Sequence, residues 1–123
     1  MQLDQARDSL NVAADQVSEH PAVALSLAYD AARKSVVAML EAQGLGAKMP
    51  NAHANVQEAL RAQWGDGLAD RFSAARTARH RAEYPTEATT GVASQAAQRT
   101  VVLGEELLHL AEKQLPILRP FSR

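Results

Sequence analysis

Residues 21–43, PAVALSLAYDAARKSVVAMLEAQ, constrain the fold more than any other stretch of this chain. After Pro21 the stretch carries no glycine or proline. Leu25, Tyr29, Ala32, Val36 and Leu40 recur every three or four residues, which places them on one face of an α-helix. Val23, Leu27, Val37 and Met39 widen that face, so this is expected to be the most buried helix. Asp30, Lys34 and Glu41 are expected on its opposite side. Proline suits a first helical turn and Gly44 suits a helix end.

A helix with so wide an apolar face needs others around it, and the chain supplies them. Leu3, Ala6, Leu10, Ala13 and Val17 predict a helix over 2–18. Asn51 can cap a shorter helix running to about Arg61. Gly65-Asp66-Gly67 breaks the pattern. Asp66 then caps a helix over about 67–84, with Leu68, Phe72, Ala75, Arg79 and Ala82 on one face. Pro85 ends it. Thr86 offers a cap for a last helix to about Gln114, with Val92, Ala96, Arg99, Leu103, Leu107 and Leu110 on one side. Pro116 and Pro120 mark a tail. No segment alternates apolar and polar residues as a strand does, and aromatics make up 4% of the chain. The expected fold is all-α: an antiparallel bundle of four long helices plus one short helix. One domain is expected over 1–123, with a tail at 115–123.

Composition narrows the function classes. There are no cysteines, which excludes disulfides and thiolate metal sites and points to a reducing cytoplasm. No secretory signal pattern opens the chain, and no run approaches the ~20 apolar residues needed to span a bilayer. The formal net charge is -1, from 13 basic and 14 acidic side chains, so contact with nucleic acid requires a local patch. The four histidines (His20, His53, His80 and His109) are spread along the sequence. Glu106-Leu-Leu-His109 is a single Glu-x-x-His where a di-iron bundle needs two. Neither a metal nor a cofactor is expected. Trp64 reads as an apolar plug at a helix end.

The candidate site is the stretch RTARHRAEYP, residues 76–85. Arg79 falls on the apolar face of its helix, with Arg76 about 60° to one side at about 100° per residue. A guanidinium there needs partners, because an unpaired buried charge is costly. Two readings follow. In one, Arg79 lies at the rim of the bundle, reaches outward and pairs with Glu83, four residues on. In the other, Arg76, Arg79, His80 and Arg81 form a phosphate-binding rim, since arginine forks onto phosphate. Arg33, beside Tyr29 on the preceding long helix, can face the same region. The negative helix C-terminus opposes an anion there unless several arginines outweigh it.

Three segments, in order, resemble a known family. LSLAYDAARKSVVAMLEAQGL (25–45), HANVQEAL (53–60) and RHRAEYP (79–85) are similar to successive segments of the HEPN superfamily, and more narrowly of SAV-type bacterial HEPN proteins. The likeness runs from about residue 20 to 110. It implies a small helical bundle, commonly a two-fold homodimer with two arginine motifs in a shared cleft. Active members carry Arg, four to six residues, then His, and cleave RNA without metal. The arginine stabilises charge on the phosphate and the histidine assists proton transfer. Arg79 matches the arginine, but Tyr84 stands where the histidine falls and His80 sits beside Arg79. The resemblance therefore implies Arg79, His80 and Tyr84 as catalytic candidates, with RNA or a nucleotide held by Arg76, Arg79, Arg81 and Arg33. A tyrosine with a reference pKa of about 10 is a poor base at neutral pH, so the implied ribonuclease is weak or inactive. The setting implied is a bacterial toxin–antitoxin or defence module. The alternative is a non-catalytic dimeric module for a partner protein such as a nucleotidyltransferase.

Overall fold

The computed structural model describes residues 2–43, 52–83 and 93–116. The described residues form five helices joined by turns: α1 (Gln2–Gln16), α2 (Pro21–Ala42), α3 (Ala52–Trp64), α4 (Asp66–Glu83) and α5 (Ala93–Gln114). The expected helices are all present where they are described. The proposed Thr86 cap, Val92, Tyr84 and the 44–50 loop lie outside the described residues.

Helix α2 is the axis of the molecule. It packs most extensively on α5 and α1, and also on α4 and α3. Ala24, Ala28 and Ala31 of α2 meet Ala6, Leu10 and Ala13 of α1 and Ala97, Val101 and Ala111 of α5 in one apolar cluster. Small side chains let these three helices approach closely. The other side of α2 carries larger groups. Tyr29, Val36 and Leu40 pack with Val56 and Leu60 of α3, Phe72 of α4, and Leu103 and Leu107 of α5. The two clusters explain why α2 has almost no polar face. Val23, expected to widen the apolar stripe, is instead exposed.

Gly104 marks the closest approach. A Cβ there would sit 2.6 Å from Leu10 Cδ2 and 3.2 Å from the Ala28 carbonyl oxygen. Gly104→Leu is therefore expected to cost about 1–3 kcal/mol through overpacking, even though leucine is the better helix former. A urea unfolding midpoint no lower than wild type would show that α1 and α2 can yield there.

Two details differ from the sequence expectation. Asp66 is the first residue of α4 rather than its cap. Gly65 alone joins α3 to α4, with φ +99°. Its N–H donates to the Arg61 carbonyl at 3.0 Å and its carbonyl accepts from Ala69 N–H at 3.3 Å, so it ends one helix and starts the next. Asp66 and Asp70 instead each accept from Arg61 at 2.9 Å. On α5, Arg99 is exposed rather than part of the core face. The buried face is Ala97, Thr100, Val101, Leu103, Leu107, Leu108 and Ala111, rotated so that Gly104 meets α1 and α2. Trp64 is half-buried against both clusters, as a plug. Gln43 and Gln63 exchange side-chain hydrogen bonds at 2.6 and 2.7 Å, tying the end of α2 to α3.

Candidate phosphate-binding site

The site is built where α4 crosses α2. Phe72 and Arg79 are seven residues apart, two turns along one face of α4. Both reach the Tyr29 ring of α2. Phe72 packs against it with centroids 5.4 Å apart and planes at 32°. The Arg79 guanidinium carbon lies 5.4 Å from the Tyr29 centroid, within range of a cation–π attraction. Arg79 Nε donates to Ser26 Oγ at 3.2 Å, and an Nη nitrogen lies 3.9 Å from the Asp30 carboxylate. The core thus holds the tyrosine, and the tyrosine, Ser26 and Asp30 hold the arginine.

These contacts bear on the position of Arg79 in both readings. Its side chain is 33% exposed, so it sits at the rim. It reaches across to α2, where it touches Ser26, Tyr29 and Asp30. The Glu83 side chain lies outside the described residues. Asp30 was expected on the far side of α2. It instead flanks the buried face, one residue beyond Tyr29, and so comes within reach of α4.

Tyr29, expected as part of the apolar stripe and as the neighbour of Arg33, was not expected as a site residue. It is 1% exposed, and its hydroxyl has no hydrogen-bond partner among the described residues; nor does Arg33 Nε, which is also buried. Burial pushes the Tyr29 phenol above its ordinary pKa, against the opposing pull of Arg76, Arg33 and Arg79 in that order. All three cations thus favour the phenolate, with Arg79 standing over the ring, and Asp30 is the carboxylate that acts in the opposite sense. One available signal was the spacing: 29 and 33 are one turn apart on α2, and 72 and 79 two turns apart on α4.

The remaining predicted residues fall differently. Arg76 is exposed on the surface of α4 while still acting on Tyr29. His80, the next residue after Arg79, is exposed. Arg81 is exposed, and two residues past Arg79 it points to the other side of α4, away from Tyr29. Tyr84 lies outside the described residues. Arg33, Arg76 and Arg79 thus all act electrostatically on Tyr29, while Arg81 turns away from it. Among the described residues no group of three or more metal-ligating side chains is placed to hold a metal ion, and no helix is long and apolar enough to cross a membrane.

Removing the Tyr29 hydroxyl gives a test of this arrangement. Because the hydroxyl lacks a described partner, Tyr29→Phe is expected to leave stability unchanged or raise it by up to about 1 kcal/mol. The phenol's raised pKa adds a pH signature. Above about pH 10 the unfolded chain loses this proton while the folded chain keeps it, so stability falls as pH rises toward the folded pKa. Thermal melts from neutral pH into the alkaline range should show that fall in wild type and a shallower one in Tyr29→Phe. Equal alkaline slopes would mean that the phenol titrates freely.

No family model, no curated protein and no solved structure matches this chain.

Proposed function

We propose that the protein is a HEPN-like bundle, of four long helices and one short one, that binds the phosphates of RNA or a nucleotide at Arg33, Arg76 and Arg79. The observation that carries this is the Arg79 guanidinium standing over the ring of a buried phenol on which Arg76 and Arg33 also act, with the Tyr29 hydroxyl and Arg33 Nε lacking partners among the described residues. A phosphate supplies the negative charge and the several acceptor oxygens that such a corner needs. The resemblance to HEPN proteins points the same way and adds the setting, a bacterial toxin–antitoxin or defence module, with pairing of two copies.

Binding is favoured over cutting. Arg79 can stabilise charge on a phosphate, but cleavage also needs a group that moves a proton near neutral pH. The Tyr29 phenol is shifted away from that range. His80 is the nearest imidazole in sequence, and it leaves the core-facing side of α4 by one residue. Any metal-independent cleavage would use Arg79 with His80 or Tyr84 and would be slow.

Two measurements test the reading together. Single-stranded RNA should bind with a salt dependence matching about three phosphate contacts, a log–log slope of about -2. Metal-free RNA degradation should be close to background for both wild type and Arg79→Ala. A salt-independent affinity would reject the phosphate site. A fast, Arg79-dependent cleavage would reject the binding-protein reading in favour of an enzyme.

A further inference from the structure

On the other side of α4 from the arginine cluster, a groove of about 760 Å³ opens between α1, α4 and α5. Its walls are largely apolar, including Val17 of α1, Ala74 and Ala78 of α4, and Val101 and Leu103 of α5. Two arginines line it, Arg71 and Arg99, and no carboxylate does among the described residues. The two arginines are not equivalent. Arg71 is engaged by both oxygens of Glu106, at 2.6 and 3.2 Å. Arg99 is exposed and has no hydrogen-bond or ion-pair partner among the described residues. Arg81 continues the stripe of Arg71, Ala74 and Ala78 along α4 at helical spacing, adding a cation beyond the alanines. The groove is therefore apolar in its walls and positive at its edge.

Its size selects the occupant. The α4 wall from Arg71 to Ala78 is about 10 Å long, some two helical turns. That is short for a protein interface, which needs on the order of 800 Å² from each partner. The volume instead falls within the roughly 300–1,000 Å³ of small-molecule sites. We propose that the groove binds a small anionic amphiphile, a carboxylate with an apolar body. The carboxylate is taken by Arg99 and the body lies on the alanines of α4. This site is separate from the phosphate site and does not depend on it.

The test is calorimetric titration of the full chain with decanoate, below its micelle concentration, and with 1-decanol. Wild type should bind decanoate at one site. Arg99→Gln should weaken decanoate about tenfold, roughly one charge-assisted contact, and leave decanol unchanged. Ala78→Trp, which fills the groove from its wall, should abolish binding of both while leaving RNA binding intact. Arg99 is a surface side chain, so Arg99→Gln keeps the test open if Ala78→Trp does not fold. The proposal is overturned if wild type shows no saturable decanoate binding, or if Arg99→Gln binds decanoate as well as wild type. It is also overturned if folded Ala78→Trp still binds, or if sedimentation shows Ala78→Trp splitting a wild-type dimer, since a second copy would then cover the groove.

Discussion

Replacing Arg79 by alanine should weaken single-stranded RNA binding about ten- to a hundredfold, while replacing Arg81 should change it by no more than about threefold. Both substitutions remove one positive charge from the same turn and a half of α4. They differ in what surrounds that charge. Arg79 stands over the Tyr29 ring beside Ser26 and Asp30, and Arg33 and Arg76 act on the same phenol. Arg81 is exposed on another side of the helix, where charge is screened over about 8 Å at physiological salt. A contribution from net charge alone predicts equal losses. Arg79→Lys should fall between wild type and Arg79→Ala, because it keeps the charge and loses the fork. Losing the Ser26 and Asp30 contacts costs stability as well, on the order of 1 kcal/mol for a part-exposed group. Anisotropy titrations should therefore be run well below the melting temperature of each variant.

The largest stability loss is expected from Phe72→Ala, about 3–5 kcal/mol. Phe72 is fully buried, and its ring packs on Tyr29 at the centre of the α2–α4 contact. Deleting it opens a cavity and forfeits the ring pair, itself worth about 0.5–1.5 kcal/mol. Small domains have roughly 5–15 kcal/mol in total, so this single change takes a large share. Urea unfolding should show a lower midpoint with an unchanged slope. Phe72→Leu should cost less than half as much. It should also retain most RNA binding, because Tyr29 is still held from α3 and α5 through the same apolar cluster. A Phe72→Ala protein as stable as wild type would mean that α4 is not anchored to α2 through this ring.

The residues show why some of this was legible in sequence and some was not. Tyr29, Ala32, Val36 and Leu40 announce a buried helix because their spacing matches the helical repeat, and all four are buried. Phe72 and Arg79 on one face of α4 announce an arginine near the core. Periodicity gives a face but not the neighbour opposite it. It could not say that Arg79 meets α2 at Ser26 and Asp30, nor that Tyr29 is the ring it stands over. Asp30 and Arg99 were assigned to the wrong faces because each lies at the edge of a stripe, where one residue is about 100° of rotation. There the packing of neighbouring helices, not propensity, sets which way the edge turns. The groove over α5 was invisible for the same reason: it exists because α1 and α4 stand apart over α5, a tertiary fact. The separation of Arg81 from Arg79, by contrast, follows from helical geometry alone and was readable from their two-residue spacing.

Arg33, Arg76 and Arg79 are proposed to share one anion. The most direct check is to follow the arginine Nε–H resonances by NMR while titrating a short single-stranded RNA. Arg33, Arg76 and Arg79 should shift together and saturate at one affinity, with Arg7 and Arg61, tied to Glu112 and to Asp66 and Asp70, unmoved. Shifts spread evenly over all the arginines, or none at Arg33 and Arg79, would contradict it.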